Sequence, residues 1–305
     1  MIYHISQLHQ DLASLNYRHG GYRHFRISDP KPRDIHKASV RDRLLHHAVY
    51  RVLYPYFDAR FIADSYSCRI GKGTHRAMNR FRAFAYQVSK NHTRTSWVLK
   101  CDVRKFFASI DHQLLFAILE QSIPDQNILA LLREVVSSFC SCCGPNKDIH
   151  QQLPTGRCKC MHKGLPLGNL TSQLLINVYM NKFDQFVKHT LKAKHYIRYA
   201  DDFVVLSSDK KALTEILSYM KVFLREELKL ELHPNKVSVQ TFSSGVDFLG
   251  WVHFSDHRVL RTASKRRMFR RLQEQKGDEN TKRSYLGLLS HGNTQKLKVE
   301  VLFRS

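Results

Sequence analysis

The stretch from residue 95 to residue 254 moves between two hydrophobic rhythms. In HYIRYADDFVVLSS, residues 195–208, two β-forming runs flank Ala200-Asp201-Asp202, which predicts a tight hairpin with both aspartates at or beside the turn. TSWVLKCDV has the same character and predicts a strand ending at Asp102; VSVQTF and VDFLGWVHF predict further strands. Helical spacing of apolar residues marks VRDRLLHHAVYRVLYPYFD, HQLLFAILEQ with Asp111 as its N-cap, the segment after the Gly/Pro loop in KGLPLGNLTSQLLINVYMNKFDQFVKH, and KKALTEILSYMKVFLREELKLEL. SKRRMFRRLQEQ opens a strongly basic helix, and FRISDPKPRDI is an extended, proline-punctuated segment. Hairpins imply antiparallel pairing, so the predicted class is α+β, with helices on one face of the sheet. Internal repeats and low-complexity linkers are absent, which favours subdomains folded together.

Charge narrows the function. Among 305 residues, 49 Lys and Arg stand against 26 Asp and Glu, a net charge of +23. A surplus of that size suits a polyanionic partner, and nucleic acid leads the candidates. The sequence has no apolar run of membrane-spanning length, and its start, MIYHISQLHQDL, lacks a basic region followed by an apolar one, so a cytoplasmic location without membrane association is expected.

An acidic pair inside so basic a chain needs a physical reason. If the strand ending at Asp102 pairs beside the hairpin, its carboxylate meets those of Asp201 and Asp202. At a separation of about 4 Å two such charges repel by roughly 4 kcal/mol at an effective dielectric of 20, a penalty that a hard divalent ion removes. Carboxylate oxygens are the ligands Mg²⁺ prefers. Two such ions about 4 Å apart form the clamp used for in-line phosphoryl transfer. Spacing alone leaves polymerase and nuclease both open.

Seven cysteines and no secretory signal argue against a disulfide framework. Five of them, Cys140, Cys142, Cys143, Cys158 and Cys160, cluster in one insertion. Their C-x-C spacing is tighter than usual zinc pairs, so a Zn²⁺ site there stands beside the alternative of reduced thiols in a surface loop.

Five blocks in order, DVRKFFASIDH, GLPLGNLTSQ, YADD, LELHPNKVSV and FLGW, resemble the motifs of reverse transcriptases of prokaryotic retroelements, over a span from about Phe25 to Trp251. The resemblance implies a right-hand polymerase: fingers at 1–95, a palm with antiparallel sheet at 96–255 carrying a fingers insertion around 125–165, and a short helical thumb at 256–305. It makes Asp102, Asp201 and Asp202 the catalytic carboxylates, with Asp102 and Asp201 direct ligands of two Mg²⁺ ions, Asp202 supporting, and the Val103 carbonyl completing one shell. Phe107 falls at the aromatic gate against a ribose 2′-OH, whereas Phe106 is expected in the core. Lys31 and Arg33 match the position that grips the triphosphate of the incoming dNTP. FLGW matches the primer grip, and the basic helix from Lys265 a thumb along the duplex backbone.

LPLGNLTSQ departs from the commoner family pattern. Leu167 stands where many members carry Gln, and the block ends in Ser172-Gln173. Leucine cannot hydrogen-bond near the nascent pair, so lower fidelity is expected. This signature, with SYLGLLSHGNTQKL near the end, resembles reverse transcriptases of diversity-generating retroelements, which copy a template RNA with errors at adenines. That resemblance implies a template RNA, an RNA/cDNA duplex, dNTPs and a basic oligomeric accessory protein as partners. With 54 residues after Trp251, the maturase and DNA-binding regions of group II intron enzymes are not expected in this sequence. A compact retron or phage-defence reverse transcriptase is the alternative within the class. A catalytically inactive RNA-binding protein is the alternative outside it, disfavoured because an idle site has no reason to keep three mutually repelling carboxylates.

Overall fold

A computed structural model describes residues 2–28, 32–141, 162–275 and 278–303. The chain begins with α1 (Ile2–Ala13), a hairpin of β1 (Tyr22–Ile27) and β2 (Arg33–Ala38), then α2 (Val40–Asp58) and α3 (Thr74–Val88). β3 (Trp97–Asp102) leads through the short α4 (Phe106–Ser109) into α5 (His112–Glu120) and α6 (Gln126–Ser137). Next come α7 (Leu170–Gln185), the hairpin strands β4 (Tyr196–Tyr199) and β5 (Asp202–Ser207), α8 (Lys210–Leu228) and β6 (Ser238–Thr241). β7 (Val246–Phe248), β8 (Trp251–His253), β9 (Arg258–Leu260) and helices α9 (Thr262–Glu274), α10 (Glu279–Leu289) and α11 (Gln295–Phe303) complete it.

The central sheet runs β4-β5-β3-β6, antiparallel throughout. Leu99 and Cys101 of β3, Tyr196 of β4, and Phe203 and Val205 of β5 enter one core with α2, α5, α6, α7 and α8. The alternate residues Val98, Ile197, Val204 and Leu206 pack on the opposite face against Phe81, Phe84 and Ala85 of α3. Helices therefore cover both faces, contrary to the one-sided packing expected. The reason lies in β5, where Phe203-Val-Val-Leu206 is apolar at both parities and needs cover on each side. α3 was not anticipated, because its apolar positions Ala77, Met78, Phe81, Phe84 and Ala85 are interleaved with arginines.

Asp111 caps α5 as expected, accepting from the Leu114 amide at 3.0 Å. VDFLGWVHF is not one strand. It folds back at Leu249 (φ 53°) and Gly250 (φ 86°), a two-residue turn of left-handed residues that suits a tight hairpin. The resulting three-stranded sheet β7-β8-β9 shares with α9–α11 a core of Trp251, Leu260, Met268, Leu272, Leu289 and Val301. Among the described residues no helix is long and apolar enough to cross a membrane.

Candidate active site

Asp102, the last residue of β3, lies directly opposite Asp202, the first of β5, in the antiparallel ladder. The β4–β5 turn consists of Ala200 and Asp201, since Tyr199 pairs with Asp202. The Asp201 carbonyl accepts a hydrogen bond from the Val103 amide at 3.1 Å, which draws the turn onto the end of β3. All three aspartates are thus brought to one end of the two central strands, although they are separated by about a third of the chain.

The surroundings disfavour the charge of Asp201 and Asp202. Burial raises the pKa of Asp201 and the neighbouring Asp102 raises it further, against the lowering by its own backbone amide, Lys236 and Arg33. Burial likewise pushes Asp202 up to about 6, with Lys100 opposing and the charges of Asp201 and Asp102 adding to the rise. Asp102 is 7% exposed, and its Oδ1 accepts from the Lys236 ammonium at 2.8 Å. The segment carrying Lys236 is anchored to β3: His233 donates its amide to the Asp102 carbonyl at 2.7 Å, and Arg104 donates to the Glu231 carbonyl at 2.8 Å. Lys236 lies in the LELHPNKVSV block, and no spacing rule links it to an aspartate 134 residues away.

Two carboxylates raised by burial and neighbouring charge, beside a third that already holds an ammonium, offer the kind of oxygen donors a hard cation takes. Among the described residues no group of three or more His, Cys, Asp or Glu side chains stands placed to hold a metal ion. Of the cysteine cluster, Cys142, Cys143, Cys158 and Cys160 lie outside the described residues, and Cys140 is buried just beyond α6. The zinc expectation has no support among the residues described.

An open cleft of about 980 Å³ runs beside the aspartates, lined by Asp202, Tyr199, Lys100, Arg33, Arg261 and Arg266 among others. Arg33 begins β2 and is exposed, and it shares this cleft with Asp202. Lys31 lies outside the described residues. Phe106 is 4% exposed, a core residue as expected. Phe107 is half-buried, its ring edge-on to Phe106 with centroids 5.8 Å apart. Its carbonyl accepts from the Leu165 amide at 2.8 Å, joining α4 to the LPLGN loop.

That loop is in turn tied to β2. The Leu167 carbonyl accepts from the His36 amide at 3.0 Å, and Asn169 Nδ2 donates to the His36 carbonyl at 2.8 Å. Gly168 sits between them at φ 104°. Gln173 is half-buried on the first turns of α7, with its amide toward the Asn169 carbonyl at 3.4 Å. Phe107, Leu167 and Gln173 lie outside the lining of the cleft. The role of Asn169 as a clamp on the β2 edge was also missed, because its partners are more than 130 residues away.

The reverse transcriptase (RNA-dependent DNA polymerase) family matches residues 28–253. Protein YkfC of Escherichia coli K12 is 26% identical over 271 residues, covering 78% of this chain and 66% of its own length. Group II intron-encoded protein LtrA of Lactococcus lactis subsp. cremoris is 21% identical over 299 residues, covering 78% of this chain and 46% of its own. The chain therefore spans less than two thirds of these relatives. Among solved structures, apo telomerase from Candida tropicalis superposes with a TM-score of 0.57 at 12% identity, over 77% of this chain and 47% of that one. Telomerase from Candida albicans, in complex with a fragment of telomeric RNA, gives 0.54 at 10%, over 82% and 48%. These likenesses establish the right-hand polymerase fold. With the family match extending across all three aspartates and most of the chain, this protein belongs to the reverse transcriptase family.

Proposed function

We propose that this chain is an RNA-directed DNA polymerase whose catalytic carboxylates are Asp102, Asp201 and Asp202. The observation that carries the reading is the pairing of Asp102 with Asp202 across the ladder, with the Asp201 turn bonded to Val103, beside a basic cleft. Asp102 and Asp201 would hold two Mg²⁺ ions, helped by Asp202 and the Val103 carbonyl. Bound there, the ions supply an activated primer hydroxyl and neutralise the departing pyrophosphate. Arg33, with Lys31, meets the triphosphate of the dNTP; Arg offers a bidentate fork there. Phe107 is the ring that excludes a ribose 2′-OH. The arginines of α9 that face the cleft follow the backbone of the RNA/cDNA duplex. In this reading residues 1–95 are fingers, 96–255 palm with an insertion around 125–165, and 256–305 thumb; the β8–β9 hairpin straddles the second boundary.

The finer assignment, an error-prone enzyme of a diversity-generating retroelement with a basic oligomeric accessory protein, rests on Leu167 and the LPLGNLTSQ block. Primer extension with Mg²⁺ on an RNA template tests the activity: the intact chain extends and Asp201→Ala does not. Equal signals would end the enzymatic reading. Sequencing the cDNA tests the subtype, which requires errors concentrated at template adenines.

A further inference from the structure

Beneath the Ala200-Asp201 turn lies a guanidinium that the chemistry above leaves unused. Arg198 of β4 and Asp184 near the end of α7 are both fully buried. Asp184 accepts from Arg198 Nε at 2.8 Å and from Nη2 at 2.7 Å, and takes a third bond from the Tyr196 hydroxyl at 2.7 Å. The second Nη2 hydrogen goes to Ser65 Oγ at 3.1 Å. Nη1 donates to Asn177 Oδ1 at 3.2 Å and to the Ala200 carbonyl at 3.3 Å. All five N–H groups of the fork are therefore occupied. The backbone of Arg198 is held as well: its amide donates to the Asp64 carbonyl and its carbonyl accepts from the Tyr66 amide, both at 3.0 Å.

A buried ion pair is a poor device for stability alone, because apolar residues of similar volume commonly serve as well. Its geometry here serves the turn. Ala200 adopts φ 55°, a left-handed conformation that a non-glycine residue keeps only when its surroundings impose it. The contact with Arg198 Nη1 fixes the carbonyl of that residue, and the next residue is Asp201. Asn177, which also donates to the Ser67 carbonyl at 2.9 Å, and Asp184 tie the same fork to α7.

We propose that Arg198 is a positioning residue for the Asp201 turn, joining it to α7 and to the segment 64–67 so that Asp201 is presented in one orientation to the ions and the primer terminus. The inference rests on Asp201 being a catalytic carboxylate, as proposed above. Lysine cannot replace the fork, since it offers a point charge instead of five directed donors.

Three variants test it by single-turnover primer extension, with the affinity for primer–template and the Mg²⁺ requirement measured alongside. Arg198→Lys is expected to slow extension about 100-fold, the effect of displacing a reacting group by roughly 1 Å. Its affinity for primer–template should stay near that of the wild type while half-maximal rate moves to higher Mg²⁺. Ser65→Ala removes one neutral acceptor and should slow extension about five-fold, the worth of one hydrogen bond, with the same Mg²⁺ signature. Arg198→Met with Asp184→Leu keeps an apolar filling without the fork and should behave like Arg198→Lys; if it does not fold, Ser65→Ala decides alone. Wild-type rate and Mg²⁺ dependence in Ser65→Ala, or losses that come only from weakened primer–template binding, would overturn the proposal. Asp201→Ala in the same assay separates the two ideas: if it is active, the catalytic reading fails, and if it alone is inactive, only the role of Arg198 does.

Discussion

The Lys236 ammonium donates to Asp102 Oδ1 at 2.8 Å, on the carboxylate that lies opposite Asp202 across the ladder. The lysine reaches it because the turn Pro234–Lys236 follows His233, whose amide is bonded to the carbonyl of the same aspartate. If Asp102 holds Mg²⁺ as proposed, a protein cation and a metal cation compete for one oxygen, and without metal the lysine offsets the repulsion among the carboxylates.

Lys236→Met should therefore cost stability chiefly in metal-free buffer. The lysine is 42% exposed, so solvent screening limits the pair to about 1 kcal/mol. Urea unfolding with and without excess Mg²⁺ measures this. The deficit is expected to shrink when Mg²⁺ is present; a deficit unchanged by the metal would mean that Asp102 does not bind it.

What the sequence made legible follows from the range of the interactions involved. Strands β3 and β5 and the turn between β4 and β5 are written in local alternation and turn chemistry, whereas the meeting of Asp102 with Asp202 had to be supposed and drew its support from the ordered family motifs. Asp111 as a cap is similarly local. Lys236, Asn169 and Arg198 take their roles from partners 134, 133 and up to 133 residues away, and no periodicity encodes those. The second face of the sheet was missed because the apolar residues of α3 are spaced among arginines, and the break at Leu249-Gly250 because FLGW reads as one apolar run.

Gly168→Ala should destabilise the loop that clamps β2. At φ 104° an L residue is strained, and a Cβ there would stand 2.9 Å from Ile35 Cγ2. A loss of about 1–3 kcal/mol is expected, with a raised KM for dNTP because Arg33 begins the displaced strand. Gly21→Ala is the control, since its Cβ would meet nothing within 4 Å and its φ is not in the left-handed range. It should stay within about 0.5 kcal/mol of the wild type. Chemical denaturation and steady-state kinetics of both variants make the comparison, and equal losses would refute the clamp.

Leu167→Gln should raise fidelity without disturbing the fold. The residue is half-buried and its bond to His36 uses the backbone carbonyl, which the substitution keeps. If residue 167 stands near the nascent pair, as the family motif implies, the new amide would supply a polar group able to discriminate among pairs. Sequencing cDNA from both forms should show fewer errors at template adenines in the variant, and an unchanged error spectrum would detach Leu167 from fidelity.

Acid should weaken the protein well above the range of ordinary carboxylates, through His46. This ring is 1% exposed, with Nε2 3.1 Å from His19 Nε2 and Nδ1 2.8 Å from Thr171 Oγ1. Burial first, and then the charges of His19 and His47 against the opposing pull of Asp42, bring its pKa down to about 4. The unfolded chain binds a proton on this residue near pH 6.5 and the folded one does not until about pH 4, so stability held at neutral pH drains away as pH falls across that interval. The loss is on the order of 2–3 kcal/mol. Asp42, in which hydrogen bonds from Tyr17 and Ser39 outweigh burial and hold the pKa below the usual carboxylate value, adds its loss only at lower pH. Unfolding midpoints in urea between pH 7.5 and 4.5 should fall steeply for the wild type and less for His46→Gln, which does not titrate. Parallel curves for the two would assign the acid sensitivity to other groups.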